Sequence, residues 1–309
     1  MNAYVADFSA RAFARPSRVE DFIRTTHFDR PTLVIDVDRV AEQYGALAAG
    51  LGRARIHYAV KANPAREIIE RLVNLGSGFD AASRAEIELC LSQGADPSHI
   101  SFGNTVKKVS DIAFAWNAGV ELFAADAEEE LEKIAEHAPG AQVYIRLIVD
   151  ASEADWPLSR KFGCARDKAI ALLDMARDLG LRPVGFSFHV GSQTKRATMW
   201  TTTLDQVAAV WKAAHEAGHT LTLLNIGGGF PAFYGEEIDA PTAYAAKVLE
   251  MVSRVTGRPP DLTPESVAIV CHEGPADSSR AIADLDYRIT PLNVLFADTI
   301  EWMKKEGQL

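Results

Sequence analysis

The stretch RIHYAVKANPAREIIERLVNLGSGFDAA, residues 55–82, contains a complete strand–helix–strand unit. RIHYAV and SGFDAA are short runs of the kind found in strands. AREIIERLVNLG, between them, has apolar residues at helical spacing and ends in glycine. Strands joined through a helix of this length pair in parallel, because the helix carries the chain back to the edge of the sheet where the first strand began. The stretch therefore predicts a βαβ unit.

The same alternation continues along the chain. The other strand-like runs are TLVIDV, HISFGN, VELFAA, QVYIRLIV, PVGFSFHV, LTLLNIGGGF and SVAIVC. From Arg55 to Cys271 there are eight such runs, separated by helical stretches, and no GxGxxG follows the first strand. This pattern favours an α/β protein with a (βα)8 TIM barrel over a doubly wound sheet. We predict that the barrel covers residues 31–275, between an N-terminal segment (1–30) and a helical tail (276–309).

The composition excludes several classes of function. The 309 residues are 48% hydrophobic and carry a net charge of −10, which gives no basic surface for nucleic acid or an anionic membrane. No apolar run approaches the roughly 18 residues that a membrane span needs. The cysteines Cys90, Cys164 and Cys271 form no CxxC pair, which indicates reduced thiols. We therefore expect a soluble cytoplasmic protein that acts on a small molecule.

Functional residues of a (βα)8 barrel lie in the loops that follow the strands. Lys61 ends what the pattern predicts to be a buried strand, and burial would lower its pKa and let its amine attack a carbonyl, although a salt-bridged lysine is an alternative. Gly227, Gly228 and Gly229 follow a later strand, where backbone N–H groups can approach a phosphate; a simple tight turn is the alternative. Together, a lysine and a phosphate cradle indicate pyridoxal 5'-phosphate, which carries an aldehyde and a phosphate.

Other polar residues follow the remaining strands: Asp80, Asn104, Arg146, His189 and Ser192. His189, in FHVGSQ, is placed to lie against a cofactor ring, with Ser192 or a backbone amide at the phosphate. A core histidine bonded to a carbonyl is the alternative.

The segment HEAGH, residues 215–219, matches the HExxH pattern of zinc peptidases. Gly218 and the strand-like TLTLLNIGGG after it predict that the helix ends before His219. The two imidazoles then need not share a helical face. We therefore predict no metal site here.

The segments YAVKANP, GFDAASRAEIELCL, SFGNTVK, WPLSRKFG, FHVGSQ and NIGGGFP follow one another between about residues 31 and 255. This series resembles the fold-type III pyridoxal-phosphate decarboxylases, the group that acts on ornithine, lysine, diaminopimelate and arginine and has an alanine-racemase-like barrel. FDAAS, FGNTVK and LSRKFG are most similar to the ornithine/lysine branch. The resemblance implies conversion of a basic amino acid to a diamine and carbon dioxide, as in polyamine biosynthesis, and it leaves a homodimer open.

The resemblance also assigns roles to individual residues. Lys61 would hold the cofactor covalently, and Asp80 and Arg146 would lie near it. The remaining assignments are His189 on the ring face, Ser192 with Gly227, Gly228 and Gly229 at the phosphate, and Glu273 facing the pyridine nitrogen. Glu273 lies in CHEGPADSSR, where the family has Glu-Pro-Gly-Arg, and the arginine of that motif has no counterpart at the same interval.

The chain departs from the family after Glu273. The family continues into a β-rich domain that carries a cysteine general acid, whereas residues 274–309 are predicted to form a helix, a turn and a second helix near Pro291. From about residue 256 onward, the chain resembles the tail of extended short-chain dehydrogenases and sugar-nucleotide epimerases. We expect a barrel closed by a foreign tail, an N-terminal segment that is loose or packed elsewhere, and weak or absent decarboxylase activity. The alternatives are a non-catalytic cofactor- or protein-binding barrel like the antizyme inhibitors, and racemase- or transaminase-like chemistry at Lys61.

Overall fold

The structure is a computed structural model that describes residues 18–149, 161–257 and 292–305. The chain divides into two compact units, residues 1–268 and 269–309. The described part of the second unit is a single helix, Leu292–Lys305, which begins directly after Pro291, where the sequence predicts the second tail helix. The first tail helix and the strand SVAIVC lie outside the described residues.

The first unit is built on a parallel sheet. Seven strands in the described part of the chain pair in sequence order, each parallel to the next. They are β1 (His57–Ala59), β2 (Gly78–Ala81), β3 (Ile100–Phe102), β4 (Leu122–Ala125), β5 (Gln142–Arg146), β6 (Arg182–Ser187) and β7 (Leu223–Asn225).

A helix follows each of these strands. The α-helices among the described residues are α1 (Arg18–Thr25), α2 (Val37–Leu51), α3 (Arg66–Asn74), α4 (Arg84–Ser92), α5 (Val109–Asn117), α6 (Glu128–His137), α7 (Arg166–Asp178), α8 (Thr201–Glu216), α9 (Pro241–Thr256) and α10 (Leu292–Lys305). Strictly sequential parallel pairing with a helix after every strand is the repeat of a TIM barrel. The predicted fold class is confirmed.

The core lies between the sheet and the helices around it. Phe79, Phe102, Phe123 and Ile145, one on each of β2 to β5, are at most 1% exposed. Full burial of such a side chain stabilises the fold by about 1.5–3 kcal/mol. The strands are buried in this way because the crossover connections between parallel strands place helices against the sheet.

Side-chain caps fix where the chain leaves the sheet. Ser83 caps α4 by accepting a hydrogen bond from the N–H of Glu86, and the Glu86 carboxylate accepts one from the N–H of Ala82 at 2.7 Å. The arrangement satisfies one N–H group that the first helical turn leaves open, and it ties the N–H of the residue before the cap to the same helix. It therefore fixes the end of β2, the strand that carries Asp80.

One predicted strand is wrong. TLVIDV, residues 32–37, is not a strand: its first residues form an irregular segment and Leu33 is 83% exposed. Asp36 instead caps α2 by accepting hydrogen bonds from two backbone N–H groups. A β-branched run gains little without a neighbouring strand, and no strand among the described residues pairs with this one. Arg18 of α1 forms an ion pair with Asp36 at 3.1 Å, so α1 lies beside the start of α2.

The helices and cysteines of the described residues bear on membrane insertion and on the state of the thiols. Within residues 18–149, 161–257 and 292–305, no helix combines the length and apolar character needed to cross a membrane. Cys90 and Cys164 are buried and free, and Cys271 lies outside these ranges. Burial raises the pKa of the Cys90 thiol to about 12 and that of Cys164 to about 11, which keeps both protonated.

Candidate functional site

Lys61 follows β1 in a single turn of 3-10 helix, Val60–Ala62. Val60 occupies the buried position of this turn, whereas Lys61 is exposed. The expectation of a desolvated amine at the end of a buried strand is therefore wrong, because the turn begins immediately after the strand and places the lysine on its open side. The turn itself is fixed by the hydroxyl of Tyr58, which donates to the carbonyl of Asn63 at 3.2 Å.

Asp80 lies on β2, beside Ala59 of β1 and Ser101 of β3. Its Oδ1 atom is buried and has no hydrogen-bond partner among the described residues. A Cβ atom at Gly103 would lie 1.8 Å from this oxygen, so the carboxylate occupies space that only glycine leaves free. Burial raises the pKa of Asp80 to about 6, although the positive charges of Lys61 and Arg146 oppose the shift. At neutral pH the carboxylate is therefore mainly ionised and close to two cations.

Arg146 is the last residue of β5. Its guanidinium lies 5.4 Å from the centre of the Phe162 ring, and its carbonyl accepts a hydrogen bond from the N–H of Cys164 at 2.9 Å. These contacts hold the described start of the segment after residue 160 against the end of β5. Arg146 is thus placed where its charge acts on both Asp80 and His189.

His189 follows β6, and its imidazole is held by the loop that it begins. Nδ1 accepts a hydrogen bond from the N–H of Gly191 at 2.9 Å. Burial, together with the charges of Arg146 and Lys61, lowers the pKa of His189 to about 4. The ring is therefore neutral at pH 7, and because Nδ1 accepts, the proton lies on Nε2.

The triple-glycine turn after β7 lies directly on the loop after β6. Gly227 and Gly229 have φ angles of 71° and 106°. A Cβ atom at Gly227 would lie 2.3 Å from the carbonyl oxygen of Phe188, and one at Gly229 would lie 2.4 Å from that of Gly191. Both the backbone conformation and the contact therefore require glycine.

Gly228, in the middle of the turn, faces His189. A Cβ atom there would lie 3.3 Å from Nε2 of His189. Within residues 18–149 and 161–257, the N–H groups of Gly228 and Gly229 and the hydroxyl of Ser192 have no hydrogen-bond partner. The turn and the loop after β6 therefore present unused donors beside the imidazole.

A polar layer beneath the site was not predicted from the sequence. The hydroxyls of Ser101 and Tyr144 lie 2.8 Å apart, and Asn225 lies close enough to Tyr144 to affect the pKa of its hydroxyl. Asn225 in turn accepts a hydrogen bond from the N–H of Gly227 at 2.8 Å. Burial is the main cause of the raised pKa of Tyr144. The available signal was a polar or hydroxyl-bearing residue on each of three predicted strands.

The HEAGH segment adopts the predicted geometry. Helix α8 ends at Glu216, so the helix does end before His219, as predicted. His215 is exposed, whereas His219 is buried and its Nε2 lies 3.1 Å from Oδ1 of Asp174 on α7. In the part of the chain that the structure describes, no group of three or more His, Cys, Asp and Glu residues is arranged to hold a metal.

The predicted residues thus meet, so far as they are described, at the carboxyl end of the sheet. Lys61, Asp80, Arg146 and His189 are close enough for their charges to interact, and His189 contacts the glycine turn. Ser192 lies in the same loop as His189. Glu273 lies outside the described residues, and its assignment stays a prediction.

Comparison with known families gives the same result for most of the chain. Residues 37–269 match the family model "Pyridoxal-dependent decarboxylase, pyridoxal binding domain". The lysine/ornithine decarboxylase of Selenomonas ruminantium is 39% identical over 201 residues, 65% of this chain and 51% of that protein. Antizyme inhibitor 2 of Xenopus laevis is 36% identical over 198 residues, 64% of this chain and 43% of that protein. The chain spans about half the length of the curated relatives it matches.

The solved structures give the same fold. The structure of SrLDC in complex with PLP and cadaverine superposes with a TM-score of 0.71 at 34% identity, covering 80% of this chain and 63% of that one. The predicted barrel type, of the alanine-racemase kind, and the predicted cofactor, pyridoxal phosphate, are thereby confirmed at the level of the family. The chain belongs to the pyridoxal-dependent decarboxylase family, whose pyridoxal-binding domain it matches.

Proposed function

We propose that this chain binds pyridoxal phosphate between Lys61 and the triple-glycine turn and acts in the decarboxylation of a basic amino acid of the ornithine or lysine type. One observation carries the proposal. An amine that follows β1, and backbone N–H groups after β7 that have no partner among the described residues, lie at the same end of one parallel sheet. These are the groups that an aldehyde and a phosphate on one small molecule require.

Two features of the site fit this cofactor. The glycine turn packs directly on the backbone of the loop after β6, and the N–H groups of Gly228 and Gly229, which have no partner among the described residues, are donors that a phosphate can use. Oδ1 of Asp80 is buried without a partner, although buried polar atoms are almost always hydrogen-bonded. A bound group that donates a hydrogen bond would satisfy it.

When bound, pyridoxal phosphate supplies an electron sink for the pair left on the substrate carbon as carbon dioxide leaves. Lys61 would hold the cofactor through its side-chain amine, the group that an aldehyde requires. Asp80 balances the positive charges of Lys61 and Arg146. His189 offers an uncharged ring that can lie against an aromatic cofactor without placing another cation beside Arg146.

The substrate class comes from the relatives together with the branch-specific segments. Lysine/ornithine decarboxylase is the printed name of one relative, and cadaverine, a diamine, is bound in the structural neighbour. The products here would be a diamine and carbon dioxide.

The first test is capture of the cofactor. Protein mixed with pyridoxal phosphate and reduced with borohydride should carry the reduced cofactor on the peptide that contains Lys61. Lys61→Arg keeps the charge but should lose this label, whereas Lys108→Arg, at an exposed lysine after β3, should keep it. Equal labelling of the Lys61→Arg protein would refute the assignment.

The second test is carbon dioxide release from carboxyl-labelled ornithine, lysine, arginine and diaminopimelate. We expect release from ornithine or lysine above that from the other two. Release from arginine or diaminopimelate alone would contradict the proposed substrate class.

A non-catalytic binder is the second candidate, and one comparison favours it. Antizyme inhibitor 2 is as similar to this chain as the ornithine decarboxylase of Rattus norvegicus, at 36% identity over 198 residues in both cases. Labelling of Lys61 without release of carbon dioxide from any of the four amino acids would select this candidate over the enzyme.

A further inference from the structure

The triple-glycine turn is held from behind by a buried tryptophan and tyrosine on two other elements. We propose that Trp200 and Tyr244 are positioning residues for the phosphate half of the cofactor site, and that they act through Thr194. This inference rests on the proposed function, in which the turn binds the phosphate.

Three hydrogen bonds connect these residues to the turn. Nε1 of Trp200, at the end of the 3-10 turn Ala197–Trp200, donates to the hydroxyl of Tyr244 on α9 at 2.8 Å. The Tyr244 hydroxyl donates to the carbonyl of Thr194. The N–H of Thr194 donates to the carbonyl of Gly229 at 2.9 Å. An indole N–H can only donate, so the direction of the series is fixed from Trp200 to Thr194.

The chain of bonds is closed to solvent. Trp200, Tyr244 and Thr194 are 0%, 1% and 1% exposed. Burial raises the pKa of Tyr244 to about 12, so the hydroxyl keeps its proton at neutral pH. Water cannot readily replace a lost partner here, and removal of the hydroxyl would leave an indole N–H and a carbonyl unpaired.

Aromatic packing holds the other side of the turn. Phe230, the residue directly after Gly229, has its ring centre 5.5 Å from those of both Trp200 and Tyr244, in edge-to-face geometry. Trp200 and Tyr244 therefore contact both Phe230, which follows the turn, and the loop after β6, on which the turn lies.

The side chain of Gln193 also joins the loop after β6 to the segment that follows the glycine turn. Gln193, next to Thr194, donates from Nε2 to the carbonyl of Ala232 at 3.1 Å, and its Oε1 accepts from the N–H of Ala232 at 2.8 Å. Gln193 has a φ angle of 56° and is the one non-glycine residue with positive φ within the described ranges. Such a backbone persists only when its surroundings hold it in place.

This arrangement makes a specific distinction between the two halves of the cofactor. A donor set that is already ordered binds its ligand at a lower entropic cost. The Trp200–Tyr244 pair contacts the loops after β6 and β7, whereas Lys61 follows β1. Loss of the tyrosine hydroxyl should therefore weaken recognition of the phosphate and leave capture of the aldehyde unchanged.

Pyridoxal, which has the same aldehyde but no phosphate, separates these effects. Affinities of the full chain for pyridoxal phosphate and pyridoxal would be measured by spectroscopic titration, with borohydride trapping at Lys61. Tyr244→Phe keeps the ring packing, and we expect it to lower the affinity for pyridoxal phosphate roughly tenfold while changing that for pyridoxal less than about twofold. Trp200→Phe should act in the same direction to a smaller extent.

Thr242→Val is the matched control. Thr242 lies on the same helix, α9, and its hydroxyl donates to the carbonyl of Ala46 at 2.7 Å, away from the turn. The variant loses the same kind of bond, so it should lower thermal stability but keep the ratio of the two affinities. Inorganic phosphate should compete with pyridoxal phosphate less well in Tyr244→Phe than in the parent protein.

The outcomes separate this inference from the proposed function. Equal changes for both ligands in Tyr244→Phe and Trp200→Phe, no change in either variant, or a ratio shifted as much by Thr242→Val would overturn the positioning role. A parent protein that captures neither ligand at Lys61 would instead overturn the proposed function. A parent protein that binds both ligands equally well would remove the phosphate site from the turn, and the positioning role with it.

Discussion

Nζ of Lys107 lies 2.8 Å from Oε1 of Glu130, with the two side chains 0% and 5% exposed. The same ammonium donates to the carbonyls of Asn104 and Ala124, at 2.9 Å and 2.6 Å. Lys133 approaches the other carboxylate oxygen of Glu130 at 2.6 Å. The pair therefore joins the loop after β3 to the end of β4 and to α6.

Replacement of Lys107 by methionine should destabilise the protein strongly. It leaves a buried carboxylate short of a partner and two carbonyls without their donor, which typically costs about 3–5 kcal/mol. Urea unfolding would measure this loss. Lys168→Met is the control. Lys168 on α7 pairs at 3.3 Å with Glu128, which lies on the same helix as Glu130, but both side chains are about half exposed. The control should cost at most about 1 kcal/mol; similar losses in both variants would contradict the importance of burial.

Replacement of Asp80 by asparagine should stabilise the protein without cofactor at pH 7.5. The folded state raises the pKa of Asp80 to about 6, so it holds a proton that the unfolded chain has already released. This contribution to stability is fully present below about pH 4 and is lost as the pH rises through 6. The variant should gain about 1–3 kcal/mol over the parent at pH 7.5 and nothing at pH 4.

Thermal unfolding of both proteins between pH 4 and 8 would check this prediction. The same variant should bind pyridoxal phosphate less tightly, because functional groups are often retained at a cost in stability. A stability difference that does not change with pH would show that the carboxylate is not desolvated.

His189 should stay neutral at pH values well below 6.5, the ordinary pKa of a histidine. Its folded pKa is lowered to about 4, so between pH 6.5 and 4 the unfolded chain takes up a proton that the folded chain does not. Stability due to this residue is therefore present above pH 6.5 and lost as the pH falls towards 4. NMR titration of imidazole-labelled protein, assigned with His189→Asn, should give a midpoint near 4 for His189. A midpoint of 6 or above would contradict the buried, cation-facing position.

Alanine at position 229 should disrupt the glycine turn. The new Cβ atom would lie 2.4 Å from the carbonyl oxygen of Gly191, in a backbone with φ of 106°. Gly235→Ala is the matched control, since Gly235 has φ of 95° but nothing within 4 Å of the added atom. Both variants carry the backbone strain, so the extra cost of Gly229→Ala, about 1–3 kcal/mol, measures the contact alone. Melting temperature and pyridoxal-phosphate affinity should both fall more in Gly229→Ala, and equal effects would place the turn away from the loop.

The sequence predicted the features that depend on local pattern. Strand–helix alternation identified the barrel, and the glycines required after β7 marked the turn because few other residues adopt positive φ. The position of Lys61 after β1 was also predicted. Its exposure was not, because whether a residue at a strand end lies inside or outside depends on the next turn, which here begins one residue after β1.

Features that depend on contacts between distant segments were not predicted. Lys107 is followed by a second lysine in FGNTVKK, and nothing in that pattern distinguishes the buried one from the exposed one. Its burial follows from Glu130, which is 23 residues away in the chain. The Trp200–Tyr244 bond likewise joins residues 44 positions apart. TLVIDV was wrongly predicted as a strand for the converse reason, since its composition suits a strand but no described strand lies beside it.

The order of the sheet gives one further consequence. Lys61 follows the first strand in the series and the glycine turn follows the seventh, so every inter-strand rotation between them affects the distance between these two groups. The distance from the amine to the turn therefore depends on the curvature of the whole sheet. A ligand that binds both Lys61 and the glycine turn would connect the first strand of the sheet to the seventh. Its binding would therefore respond to strain in any of the strands between them.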